Sequence, residues 1–99
     1  MIQQNILLTR VSSHGRLVLV YSMAELSDRQ KALLKAIVEE YIEAAEPVGS
    51  EIIEKKYDLG VSPATIRIEM GRLTDLGYLR QLHTSAGRTP TSMGMKFYI

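Results

Sequence analysis

The chain contains no cysteine among its 99 residues. That excludes a disulfide scaffold, a thiolate zinc site and a cysteine nucleophile. Two histidines occur, His14 and His83, and neither has a companion at metal-ligand spacing, so a metal site is not expected. The chain also lacks a Gly-rich phosphate loop ending in Lys-Ser/Thr and a nucleophile elbow. The paired acids Glu39/Glu40 fall on a surface helix, where adjacent positions point in different directions. No catalytic residue, metal or cofactor is therefore expected. Long apolar runs are missing as well. The run Leu17-Val18-Leu19-Val20-Tyr21 follows Arg10 and Arg16 and precedes Ser22-Met23-Ala24, which imitates a leader with a small-residue cleavage site. It is shorter than the roughly 7–15 residues of such an apolar region and far short of the ~20 residues of a membrane span.

What remains is ordinary in bulk: 45% hydrophobic and 23% charged residues in a length that fits one small soluble domain. The net charge of +1 conceals a separation. Residues 1–24 carry two bases and no acid. Residues 25–60 carry nine acids against five bases. Residues 61–99 carry Arg67, Arg72, Arg80, Arg88 and Lys96 against Glu69 and Asp75. The C-terminal part is thus basic and dominated by arginine, whose planar donor fork suits phosphate and guanine. A charge-mixed solvated surface explains the same split equally well.

The segment 1–24 differs from the rest and is expected to be an N-terminal extension, with a short strand over 16–21 from its β-branched content. A natural start at Met23 is the other reading of this segment, and the mass of the native N-terminus separates the two. From 27 onward the pattern is helical. Ser27 followed by Gln30 is a capping-box pair. Leu33/Leu34, Ile37/Val38, Tyr41/Ile42 and Ala45 then recur at helical spacing, with Lys35, Glu39, Glu40 and Glu43 assigned to the opposite side, and Pro47 closes the helix. A short helix is expected over 51–57, capped by Ser50. The turn Asp58-Leu59-Gly60 follows, with Gly60 free to take a positive φ. A third helix over 63–76 has Ser62 as N-cap, Pro63 at its first position and Gly77 beyond its end. Ile66, Met70, Leu73 and Leu76 form its inner side, with Thr65, Arg67, Ile68, Glu69 and Arg72 over the remainder. Residues 78–82 are a strand candidate, 83–87 a turn-rich tip and Arg88-Thr89 the start of a returning strand, which Pro90 confines to a sheet edge. Thr91 or Ser92 caps a last turn bearing Met95, Phe97 and Tyr98. Tyr41, Tyr57, Tyr78 and Phe97 are expected in the core. The chain stops at Ile99 in mid-pattern, as an excised module or a piece of a longer protein would.

Three helices and a hairpin in this order make a mainly α fold with a small β-hairpin, a winged helix-turn-helix. In that fold the second helix braces the third, and the third enters the DNA major groove by its N-terminal half. Winged helices also serve as protein-docking modules, which is the alternative function, as is a truncated paralogue that has lost its activity.

The stretches "EPVGS", "VSPATIR", "LGYL" and "HTSAGR.PT" resemble the N-terminal DNA-binding domain of the HrcA family of heat-inducible transcription repressors. The resemblance covers residues 25–99. It implies a cytoplasmic, sequence-specific repressor that binds an inverted-repeat operator of chaperone genes in double-stranded DNA. It further implies a homodimer and dependence on the GroEL chaperonin, both of which rest in the family on a larger C-terminal region outside these residues. At position 68 the family pattern leads one to expect Asn where this chain has Ile, and at position 71 Ala where it has Gly.

The expected DNA-binding residues are Ser62, Ala64, Thr65, Arg67, Ile68 and Arg72 on the third helix and His83, Thr84, Ser85 and Arg88 in the wing. Arg67 is the candidate for a bidentate guanine contact, with a phosphate contact or a solvated side chain as alternatives. The helix N-terminal amides with Ser62 and Thr65 form a candidate phosphate site. Ile68 can touch a thymine methyl but cannot hydrogen-bond a base. Thr84 and Ser85 are candidate phosphate donors. Arg88 is a phosphate or minor-groove candidate, and His83 a structural hydrogen-bonder or a base reader.

Overall fold

The computed structural model describes residues 6–11, 17–21, 26–82 and 87–98. The first two segments are strands β1 (Ile6–Val11) and β2 (Leu17–Tyr21), paired antiparallel. Their register sets Val11 opposite Leu17 and Leu8 opposite Val20, with a bulge between Ile6 and Leu8. The strand expected at 16–21 is thus β2; its partner β1 was not expected from the sequence.

Helix α1 runs Asp28–Ala44. Its start is the expected capping box: the Gln30 amide donates to Ser27 Oγ (3.1 Å) and the Ser27 amide to Gln30 Oε1 (2.9 Å). Its end turns left-handed at Ala45 (φ 59°), whose amide donates to the Tyr41 carbonyl at 2.7 Å, two residues ahead of Pro47. The buried residues Leu33, Leu34, Ala36, Ile37 and Val38 form the inner face. Ile42, expected on that face, is exposed, while Glu40, expected outside, is buried. Glu40 lies three residues after Ile37 and seven after Leu33, on the line of the buried stripe, so helical phase overrode its charge.

Helix α2 (Ser50–Lys56) begins one residue earlier than expected. Gly49 is its N-cap, without a side-chain cap bond, and Ser50 is the first helical residue. Ile53 is fully buried. Gly60 takes φ +71° in the turn to α3 (Pro63–Asp75). Ser62 caps α3 by accepting from the Thr65 amide at 3.2 Å. At the far end Gly77 (φ +93°) donates to the Thr74 carbonyl and Tyr78 to the Leu73 carbonyl, the paired bonds of a Schellman motif. Ile66, Met70 and Leu73 are buried; α3 packs on both α1 and α2.

The wing strands are β3 (Leu79–Arg80) and β4 (Thr89–Pro90), paired with Leu79 opposite Pro90 and Arg80 opposite Thr89. Pro90 was expected to confine its strand to an edge. β4 is such an edge, paired in its sheet with β3 alone; just before it, Arg88 exchanges both backbone bonds with Val48 at 2.8 Å. The bridge falls two residues before Pro90 and does not need the amide that proline lacks. Gly87 is required here, because a Cβ would collide with the Val48 carbonyl. Helix α4 (Ser92–Tyr98) follows. Thr91, rather than Ser92, caps it: Thr91 Oγ1 accepts from the Gly94 amide (3.2 Å) and donates to the Gly77 carbonyl (2.6 Å). Gly94 is buried against the Tyr78 carbonyl, where a Cβ would not fit.

One core joins the helices and the wing: Leu26, the inner face of α1, Val48, Ile53, Ile66, Met70, Leu73, Tyr78 and Leu79, with Tyr41, Tyr57 and Phe97 packed half-buried against it. The architecture is the expected winged helix, three helices and a two-stranded wing, with α4 returning against α1.

Candidate nucleic-acid interface

Helix α3 has two faces. With about 3.6 residues per turn, Ile66, Glu69, Met70 and Leu73 fall on the inner side, and all four are buried. Ala64, Arg67, Ile68, Arg72 and Asp75 fall on the outer side, and all five are exposed. Gly71 shares that outer face. Arg67 and Arg72 lie along its two margins, with Ala64, Ile68 and Gly71 between them and Asp75 at the C-terminal end. Thr65, expected outside, is half-buried at the border.

The helix N-terminus is more occupied than expected. Ser62 Oγ accepts from the Thr65 amide and donates to Thr65 Oγ1 at 3.1 Å. The Ile66 amide bonds back to the Ser62 carbonyl at 3.0 Å, and Pro63 has no N–H. Of the first-turn amides only Ala64 keeps a donor for an incoming anion, so a phosphate here would be held mainly by that amide and the helix dipole.

Arg72 is held in place. Its Nη1 donates to Glu69 Oε2 at 3.2 Å, and Glu69 Oε1 accepts from Gln30 Nε2 at 3.1 Å. The Arg72 side chain is 62% exposed while that of Glu69 is 8%. A buried carboxylate therefore anchors an exposed guanidinium, and the capping residue of α1 fixes that carboxylate in turn. Sequence reasoning places Glu69 among the outward residues and reads Gln30 as a cap alone. The available signal was phase: Glu69 stands three residues after Ile66 and four before Leu73. Gln30 satisfying Glu69 could not be foreseen, because the pairing spans 39 positions.

Arg88 sits at the base of the wing and is half-buried. Its Nε donates to Thr74 Oγ1 at 2.9 Å, and Thr74 Oγ1 donates to the Met70 carbonyl at 2.8 Å. The guanidinium thus ties the wing to the last turns of α3, and among the described residues no hydrogen bond is made by its terminal nitrogens. Thr74 was not among the expected residues. His83, Thr84 and Ser85, the expected wing tip, lie outside the described residues.

A second polar cluster braces α2 on α1. Glu40 accepts from Lys56 Nζ and from the Tyr57 hydroxyl, both at 3.2 Å, and Lys56 also reaches Glu43 at 3.6 Å. The hydrogen bond and charge of Glu40 hold the Lys56 ammonium above its ordinary value. Burial, then the bond to Glu40, raises the Tyr57 phenol. Burial likewise raises Tyr78. The Glu40 cluster has no residue on the outer side of α3 and serves to hold α2 against α1.

Among the described residues no cluster of His, Asp or Glu could hold a metal ion, and no helix is long and apolar enough to cross a membrane.

No family model matches the chain. Curated proteins do. The chain is 57% identical over 74 residues to the heat-inducible transcription repressor HrcA of Symbiobacterium thermophilum, which covers 75% of this chain and 22% of that protein. It is 60% identical over 74 residues to HrcA of Brevibacillus brevis, again 75% and 22%, and 59% identical over 75 residues to HrcA of Clostridioides difficile, 76% and 22%. A crystal structure of a hypothetical protein superposes with a TM-score of 0.74 at 47% identity, covering 78% of this chain and 25% of that one. The chain spans about a fifth of the length of the curated relatives it matches. Through that matched part, three quarters of its own length, the chain belongs to the HrcA family of heat-inducible transcription repressors.

Proposed function

We propose that this chain is the DNA-reading head of a heat-shock repressor, binding an inverted-repeat operator of chaperone genes through the outer face of α3 and the wing. The observation that supports it best is the outer face itself. Arg67 and Arg72 stand exposed on one side of a helix whose other side is sealed into the core, and a buried carboxylate aims one of the two. In this reading Arg67 contacts a base edge, and Arg72 and Arg88 contact the backbone. Ala64 and Ser62 seat the helix N-terminus by a phosphate, Thr65 borders that contact, and His83, Thr84 and Ser85 carry the wing along the duplex. Repression follows from occupancy of the operator. A second copy on the other half of the repeat belongs to the same proposal, because linking two heads raises their effective concentration at the site. GroEL dependence and a cytoplasmic location, the family's other properties, enter only with it.

Titration against duplexes with the inverted repeat and with a scrambled sequence tests the reading. Affinity for the repeat is expected to exceed that for the scrambled duplex and to fall linearly in log–log form with salt, by roughly 0.9 per phosphate neutralised. Equal affinity for both at moderate salt defeats it, and leaves the exposed face to a protein partner.

A further inference from the structure

Ile68 is a large apolar side chain left 56% exposed at the centre of the outer face of α3. A lone exposed isoleucine is common on a protein surface; its surroundings distinguish this one. Arg67 and Arg72 flank it on either side of the helix. Ala64, one turn earlier, and Gly71, one turn later, leave it standing proud: a Cβ added at Gly71 meets nothing within 4 Å. Two cations therefore frame an apolar strip whose one bulky member is Ile68. The arginines select a polyanion as the occupant of this face. Within the major groove of such a polyanion the apolar group on a base edge is the C5-methyl of thymine.

We propose that Ile68 is a specificity residue that reads thymine, packing its branched side chain on the C5-methyl in the half-site that α3 enters. The contact removes apolar area from water on both partners. It also discriminates against cytosine, whose N4 donor in the same region would lose its water without gaining an acceptor. A β-branched side chain on a helix has essentially one χ1 rotamer, so Ile68 meets the groove already ordered. Gly71 and Ala64 admit the helix closely enough for that contact. The proposal rests on the DNA-reading function above and assigns one base class within it.

The test starts by selecting the tightest duplex from a randomised pool with the whole chain. Each thymine of that duplex is then replaced by deoxyuridine, which keeps pairing and removes only the methyl. One or two replacements per half-site are expected to weaken binding by roughly threefold to tenfold, the loss of one buried methyl. With Ile68→Ala, checked by its melting curve to be folded, deoxyuridine and thymine are expected to bind alike. If the pool enriches no sequence, the DNA-reading function fails and the inference with it. If a sequence is enriched and no deoxyuridine replacement matters, the assignment of Ile68 is overturned while DNA reading stands. A deoxyuridine penalty that persists in full in Ile68→Ala overturns the assignment too, because another side chain then reads the methyl.

Discussion

Gly71, Gly87 and Gly94 show how differently one residue type behaves at three sites. Gly71 occupies a half-buried helical position with open space where a Cβ would be, so Gly71→Ala is expected to stabilise the fold by about 0.5–1 kcal/mol through backbone entropy and helix propensity. Thermal melting checks it, and a loss of stability would show that the backbone there is not helical in solution. Gly94→Ala should do the opposite, because its Cβ meets the Tyr78 carbonyl. Titration is also a property of single residues. Tyr57 and Lys56 both have their proton held more tightly in the folded state than their ordinary values of 10.0 and 10.5. Their contribution is therefore complete below about pH 10 and is lost as pH climbs through the raised folded values. Stability measured by denaturant titration is expected to fall in that alkaline window. Tyr57→Phe should make the fall shallower; an unchanged slope would remove Tyr57 from its cause.

At the scale of elements, the polar joints matter most. The Gln30–Glu69–Arg72 chain ties the start of α1 to α3. Removing Glu69 leaves the Gln30 amide group without its acceptor and frees Arg72. Glu69→Ala is expected to cost about 1–3 kcal/mol of stability and to weaken DNA binding beyond what the loss of folded protein explains. Binding equal to the parent's at full folding would show that Arg72 needs no anchor. The helix ends were readable in advance: the Ser27/Gln30 box, Ser62-Pro63 and Gly77 act through bonds to neighbours a few residues away. The wing strand boundaries were not. The expected 78–82 strand shrinks to Leu79–Arg80, because its length depends on how far β4 runs alongside. β4 itself is set by Val48 and by Gly87, which lets the two backbones approach.

For the molecule as a whole, the acidic part 25–60 and the basic part 61–99 divide two kinds of loss. Arg67 stands exposed, so Arg67→Ala is expected to cost about 1–3 kcal/mol of discrimination between operator and scrambled duplex if it reads a base; a uniform loss makes it a phosphate anchor. Arg88 is tied to Thr74, so Arg88→Ala is expected to weaken all duplexes alike and to lower the melting temperature as well, by loosening the wing from α3. Melting unchanged in Arg88→Ala would show that the Thr74 contact contributes nothing in solution.

The sequence alone determined the order of helices, the N-caps of α1 and α3, the positive φ of Gly60 and the outward placement of Arg67, Ile68 and Arg72. Each of these follows from local bonding or from helical period, which act within a turn or two. The tertiary structure decided what the charges do. Glu40 and Glu69 read as surface residues because they are acidic, yet both are buried. Their partners come from other elements or from neighbours on the border of the core: Lys56 and Tyr57 for one, Gln30 and Arg72 for the other. A buried carboxylate is tolerable only when donors surround it, and whether they do depends on which helices meet. The same holds for Arg88, whose chemistry was legible but whose tether to Thr74 required the wing to fold back on α3.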